Sequence, residues 1–125
     1  MRAALLLLCL PLVSCDDHLL SHSRRSGVDC DREPPLTWDT FGAGRMRDLC
    51  AGCHSSLYAG ERRKGAPEGV DLDTLDGVVD WVDEVLVRTV DREDMPPGGG
   101  LTDEELAELE EWLVCDVAVR AIGAR

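Results

Sequence analysis

A chain of 125 residues supports one small domain, and three Trp, one Tyr and one Phe make a thin core for that length. Thirteen basic residues against 25 acidic ones give a formal net charge of -12, which argues against a nucleic-acid binder, because phosphates call for a cationic surface. The acidity is first of all a matter of solubility, with a docking surface for a basic partner as the functional alternative.

Residues 1–14 begin with Met1-Arg2-Ala3-Ala4, continue through the apolar run Leu5 to Leu8 and end at Ser14. A short basic start followed by an apolar stretch too short to span a bilayer reads as an export signal rather than a transmembrane helix. Leu12-Val13-Ser14-Cys15 resembles a bacterial lipobox, with the small residue and the cysteine placed where the apolar run gives way to Asp16-Asp17. Cys15 is therefore the candidate lipidation site, anchoring the exported chain to a membrane of the cell envelope; an ordinary signal with a chance cysteine is the alternative. Removing residues 1–14 takes away Arg2 alone among the charges, so 12 basic minus 25 acidic residues leaves -13. Residues 15–35 are expected to form a flexible tether carrying the solvated His18 and His22 and closing on Glu33-Pro34-Pro35. The domain is expected to occupy 36–125.

Thr37 is a capping residue for a first helix running to about Ala51, in which Trp38, Phe41 and Leu49 follow helical spacing. Gly42 and Gly44 weaken it by about 1 kcal/mol each relative to Ala, so it depends on close packing, which glycine permits by letting a neighbouring backbone approach. A polar loop, Ser55 to Gly69, contains Arg62-Arg63-Lys64, which fits either a solvated cluster or a set of partners for carboxylates. Leu75, Val78, Val79, Val82, Leu86 and Val90 mark a second amphipathic helix within 73–90. Met95-Pro96-Pro97-Gly98-Gly99-Gly100 then forms a loop. Thr102 and Glu105 make a capping box for a terminal helix, whose buried stripe is Leu106, Leu109, Leu113 and Val117, ending near Arg120.

Between the first helix and the polar loop stands Cys50-Ala51-Gly52-Cys53-His54. C-x-x-C-H is the attachment sequence of a c-type haem, in which two thiols add across the vinyl groups and the adjacent imidazole can ligate the iron. A buried haem would also supply the apolar bulk that the aromatic count lacks. A thioredoxin-like redox pair requires a βαβ setting that this sequence does not offer. A zinc site requires a further ligand, for which Cys30 or Cys115 could serve.

The pentapeptide after a helix bearing Phe41, Pro67 in the following loop, Met95 in a Pro/Gly loop and a last helix with Trp112 together resemble the class I cytochrome c family, in particular small monohaem lipoproteins. The likeness covers about 30–120. It implies an all-α bundle of about three main helices wrapped round one covalently attached haem, and an electron carrier rather than an enzyme. On this resemblance Cys50 and Cys53 are the thioether anchors, His54 is the proximal ligand, and the Pro67 carbonyl orients the imidazole by accepting its N–H. Met95 is the sixth-ligand candidate, since a thioether favours reduced iron. Met1 falls in the signal, and Met46 lies one turn before Cys50. The span from His54 to Met95 is short for the family and implies a reduced domain.

Cys30 and Cys115 remain after these assignments. In an oxidising compartment, two leftover cysteines flanking a small domain point to a disulfide contributing on the order of 4 kcal/mol, with two free buried thiols as the alternative. The expected role is one-electron transfer between exported or membrane redox partner proteins. Alternatives are a haem-based sensor or ligand-binding protein, and the cytochrome subunit of a larger exported oxidoreductase.

Overall fold

The computed structural model describes residues 27–124. The export signal at 1–14, the lipidation candidate Cys15 and the tether histidines His18 and His22 lie outside the described residues. Among the described residues the fold is all-α, with no strand.

Helix α1 spans 38–49, a π-helical turn Trp38–Gly42 running into the α-helical Ala43–Leu49. Thr37 caps it: its hydroxyl accepts from the Thr40 amide at 3.3 Å, while the Thr40 hydroxyl accepts from the Thr37 amide at 3.1 Å. The close packing that its glycines require is found at Gly42, but against a ring rather than a backbone. A Cβ at Gly42 would fall inside the Trp112 indole.

Helix α2 spans 75–91 and starts at Thr74, whose hydroxyl accepts from the Gly77 amide at 3.1 Å. It consists of Leu75–Asp80, a break at Trp81 (φ -114°, ψ 13°), Val82–Leu86 and a π-helical end Val87–Asp91. Helix α3 spans 103–123: Asp103–Trp112, a π-helical Leu113–Val117 and Ala118–Gly123. Its capping box forms as read, with the Glu105 amide donating to the Thr102 hydroxyl at 3.2 Å and the Thr102 amide donating to the Glu105 carboxylate at 3.0 Å. A single 3-10 turn, Gly60–Arg63, lies in the long loop between α1 and α2.

The three helices share one core. Helix α2 runs antiparallel to α3, its start against Ala118–Gly123 and its end against Asp103–Trp112. Val78, Val82 and Leu86 meet Leu109, Leu113 and Val117 there, all of them buried, and each contributes about 1.5–3 kcal/mol by leaving water. Helix α1 packs on the first half of α3 through Trp38 and Phe41, whose rings stand 6.2 and 6.0 Å from that of Trp112. Arg45 ties the same pair of helices by ion pairs to Glu105 (2.9 Å) and Glu108 (3.5 Å). Met46 is wholly buried in this core.

The segment before α1 is fastened to α3 earlier than residue 35. Cys30 and Cys115 lie at disulfide distance (Cα–Cα 5.6 Å) and form a bridge across 85 residues of sequence. Arg32 grips Glu111 with two bonds of 2.7 and 2.9 Å, and Val28 packs against the core. Among the described residues no helix is long and apolar enough to cross a membrane.

Candidate functional site

At the end of α1 the chain makes a tight turn. The Cys50 and Ala51 amides both donate to the Met46 carbonyl (2.9 and 2.8 Å), and the Cys53 and His54 amides both donate to the Cys50 carbonyl (3.1 and 2.9 Å). These bonds bring two thiols and an imidazole to the lining of one cavity of about 590 Å³, within the range that holds a cofactor-sized group. The same cavity is lined by Pro67, by Leu49, Val70, Leu72 and Val85, which make its wall largely apolar, and by Met95. All of the candidate binding residues named from the sequence between 50 and 95 thus meet in one place. Met46 does not line it.

His54 is held from two directions. Its carbonyl accepts from the Leu72 amide at 2.8 Å, and its Nδ1 lies 3.1 Å from the Val70 carbonyl. A carbonyl oxygen can only accept, so Nδ1 is the donor of this bond, and Nε2 is the ring nitrogen left to face a metal. The orienting carbonyl is therefore that of Val70 and not that of Pro67. The Pro67 carbonyl is taken by Arg63 Nη2 at 2.7 Å and by the Val70 amide at 3.3 Å.

The basic cluster divides into three different roles. Arg62 lies over the Tyr58 ring, 4.7 Å from its centroid. Lys64, in the left-handed region (φ 52°), lines the cavity. Arg63 is buried, with 2% of its side chain exposed, and holds the loop from inside. Its guanidinium donates to the carbonyls of Ser55, Tyr58, Ala66, Pro67 and Val70 and to the Asp71 carboxylate at 2.8 Å. A planar fork of five N–H donors is suited to such a convergence of carbonyls, and Lys is not. Sequence reasoning did not single out Arg63, because the three cations are adjacent in the chain and only the path of residues 55–71 tells them apart.

A second loop fastener is Asp73, whose Oδ2 accepts from the Ser55 hydroxyl (2.8 Å), the Ser56 amide (3.0 Å) and the Ser56 hydroxyl (2.9 Å). Burial pushes its carboxyl up, but these bonds together outweigh burial and hold it below its ordinary value.

Met95 reaches the cavity because of how α2 ends. In the π-helical turn Val87–Asp91 the Arg92 amide bonds to Val87 O at 3.0 Å, one residue further back than in an α-helix. The Arg88 carbonyl, which the Arg92 amide would otherwise occupy, instead accepts from the Asp94 and Met95 amides at 3.0 and 3.1 Å. An ion pair between Arg88 and Asp94 at 2.6 Å closes the same turn.

Burial pushes the Cys50 thiol up to about 11, and the neighbouring Cys53 sulfur acts in the same direction. A redox-active dithiol operates through a thiol with a lowered pKa, and Cys50 is shifted the opposite way. The two cysteines considered as further zinc ligands, Cys30 and Cys115, are joined to each other. Among the described residues no three His, Cys, Asp or Glu side chains group closely enough to hold a bare metal ion. The arrangement instead suits a largely apolar group attached through two thiols, with an imidazole nitrogen and a thioether sulfur available as donors. Comparison with protein-family models, curated proteins and solved structures gives no match.

Proposed function

We propose that the chain is a small monohaem c-type cytochrome that carries single electrons between redox partners outside the cytoplasm, tethered to a membrane through a lipid on Cys15. The observation that carries this reading is the convergence of Cys50, Cys53, His54 and Met95 on one apolar cavity of about 590 Å³. When bound, the haem iron supplies the one-electron couple.

The chain's own residues do the rest. The Cys50 and Cys53 thiols would hold the group through two thioether links, since adding an S–H across a vinyl double bond needs no external oxidant. His54 offers Nε2, its ring fixed by the Val70 carbonyl. Met95 offers a thioether sulfur from a loop pinned to the Arg88 carbonyl. Leu49, Val70, Leu72 and Val85 give the group apolar wall, and Lys64 and Arg88, also in the lining, are cations suited to its carboxylates.

Expression together with a haem-attachment system tests this reading. The expected product has the mass of one covalently bound haem and a reduced-minus-oxidised spectrum of low-spin type; protein free of covalent haem overturns it. Met95→Ala is expected to lose the low-spin signature and to lower the reduction potential, because a thioether ligand favours reduced iron. An unchanged spectrum and potential would remove Met95 from the ligand set and favour a sensor in which that position is open.

A further inference from the structure

Arg63 is the only charged side chain among the described residues that is fully buried. Taking a guanidinium out of water costs several kcal/mol unless it is paired, and neutral donors could also have fastened a loop. The placement of the charge is specific. Arg63 Nη2 lies 2.8 Å from the Val70 carbonyl, the same oxygen that accepts from His54 Nδ1 at 3.1 Å.

An oxygen that already accepts from a cation has less electron density to offer a second donor. The Nδ1–H bond of His54 to that oxygen is then weaker, and the ring donates less through Nε2. A positive charge in the protein interior, where screening is weak, also opposes a more positive centre nearby. Both effects favour the reduced state. Asp71, 2.8 Å from Arg63 Nη1 and about one-third exposed, offsets part of that charge.

We propose that Arg63 is a positioning residue that raises the reduction potential of the site, acting on His54 through the shared Val70 carbonyl, with Asp71 as the counterweight. The inference rests on the cytochrome reading above. It extends that reading by assigning the control of the potential to a loop residue that bonds to neither the cysteines nor Met95.

The experiment is potentiometric titration of the holoprotein in three forms: unaltered, Arg63→Gln and Asp71→Asn. Arg63→Gln is expected to raise the oxidised-to-reduced ratio at a fixed ambient potential by about threefold to tenfold, a tenfold change being about 59 mV for a one-electron couple. Asp71→Asn, which leaves all five carbonyl bonds of Arg63 in place, is expected to move the ratio in the opposite direction. Opposite signs are the signature of charge, since a merely loosened loop moves both variants the same way. In the reduced protein the His54 Nδ1 proton resonance should shift downfield in Arg63→Gln, reporting a stronger bond to Val70.

Shifts of one sign, or both variants within about twofold of the parent ratio, overturn the proposal. If Arg63→Gln does not mature, the sign of the Asp71→Asn shift decides alone. Parent protein without covalent haem removes the cytochrome reading and this one with it. Parent protein with haem and an unresponsive potential removes only the role of Arg63.

Discussion

A methyl group on Gly42 would enter the Trp112 indole, and Trp112 is wholly buried among Trp38, Phe41 and the helix α3 stripe. Gly42→Ala is therefore expected to destabilise the protein by about 1–3 kcal/mol through overpacking, despite the gain of about 1 kcal/mol that Ala brings to a helix. Denaturant melts check it: an unchanged or higher midpoint would mean that the ring yields. The glycine was legible in the sequence as a request for a close neighbour. The neighbour itself was not, because Trp112 is brought there by helix packing and carries no local mark of it. His54 and Arg63 divide in the same way. C-x-x-C-H announces its imidazole, whereas the carbonyl that orients it belongs to Val70 and is held by a buried arginine. The fork of Arg63 takes up Pro67 O, so Pro67 keeps a place in the cavity wall without the orienting bond.

Helix starts were the most readable elements, since a cap is built from residues three apart. Thr102 and Glu105 form their reciprocal bonds as the spacing implies, and Thr102→Ala is expected to cost about 1 kcal/mol in a thermal or denaturant melt. Bonds from the Thr102 amide, and next from the Arg45 guanidinium, hold the Glu105 carboxyl below the usual carboxylate range. Its folded pKa is thus lower than its unfolded one of about 4.3, so the unfolded chain binds the proton more readily. The stabilisation is present above that unfolded value and is lost as pH falls through the lower, folded one. Glu105→Gln should accordingly flatten the acid limb of the stability profile below about pH 4.3, while a limb as steep as the parent's would assign the acid response to other carboxylates. Helix interiors were read less fully. The valine-rich stripe of α2 showed a helix but neither the break at Trp81 nor the π-helical end Val87–Asp91. Those irregularities answer to packing and to the Met95 loop, whose two amides need the carbonyl that the wider turn frees.

For the whole molecule, an all-α domain of three main helices was legible from hydrophobic period and caps, while the point at which the chain joins the domain was not. Exposed Asp, Arg and Pro before Thr37 resemble a linker in composition, yet Val28, Cys30 and Arg32 lie against the core or helix α3. Replacing both Cys30 and Cys115 by Ser is expected to lower stability by about 4–5 kcal/mol, the chain-entropy value for so long a loop. A loss below about 1 kcal/mol in denaturant melts would show that helix packing already restricts the unfolded ensemble. Arg32→Ala, which breaks a half-exposed ion pair, should cost far less than loss of the bridge in the same melts. The bridge also fixes a length. With a lipid on Cys15, the leash would end at Cys30 rather than at the start of helix α1, and fifteen residue steps extend no further than about 54 Å. On the proposed anchoring, the domain would sample only a shallow shell above the bilayer. Partners would have to present their electrons within that shell, and any pull from the anchor would pass through sulfur into helix α3, leaving the loops that carry His54 and Met95 free of load.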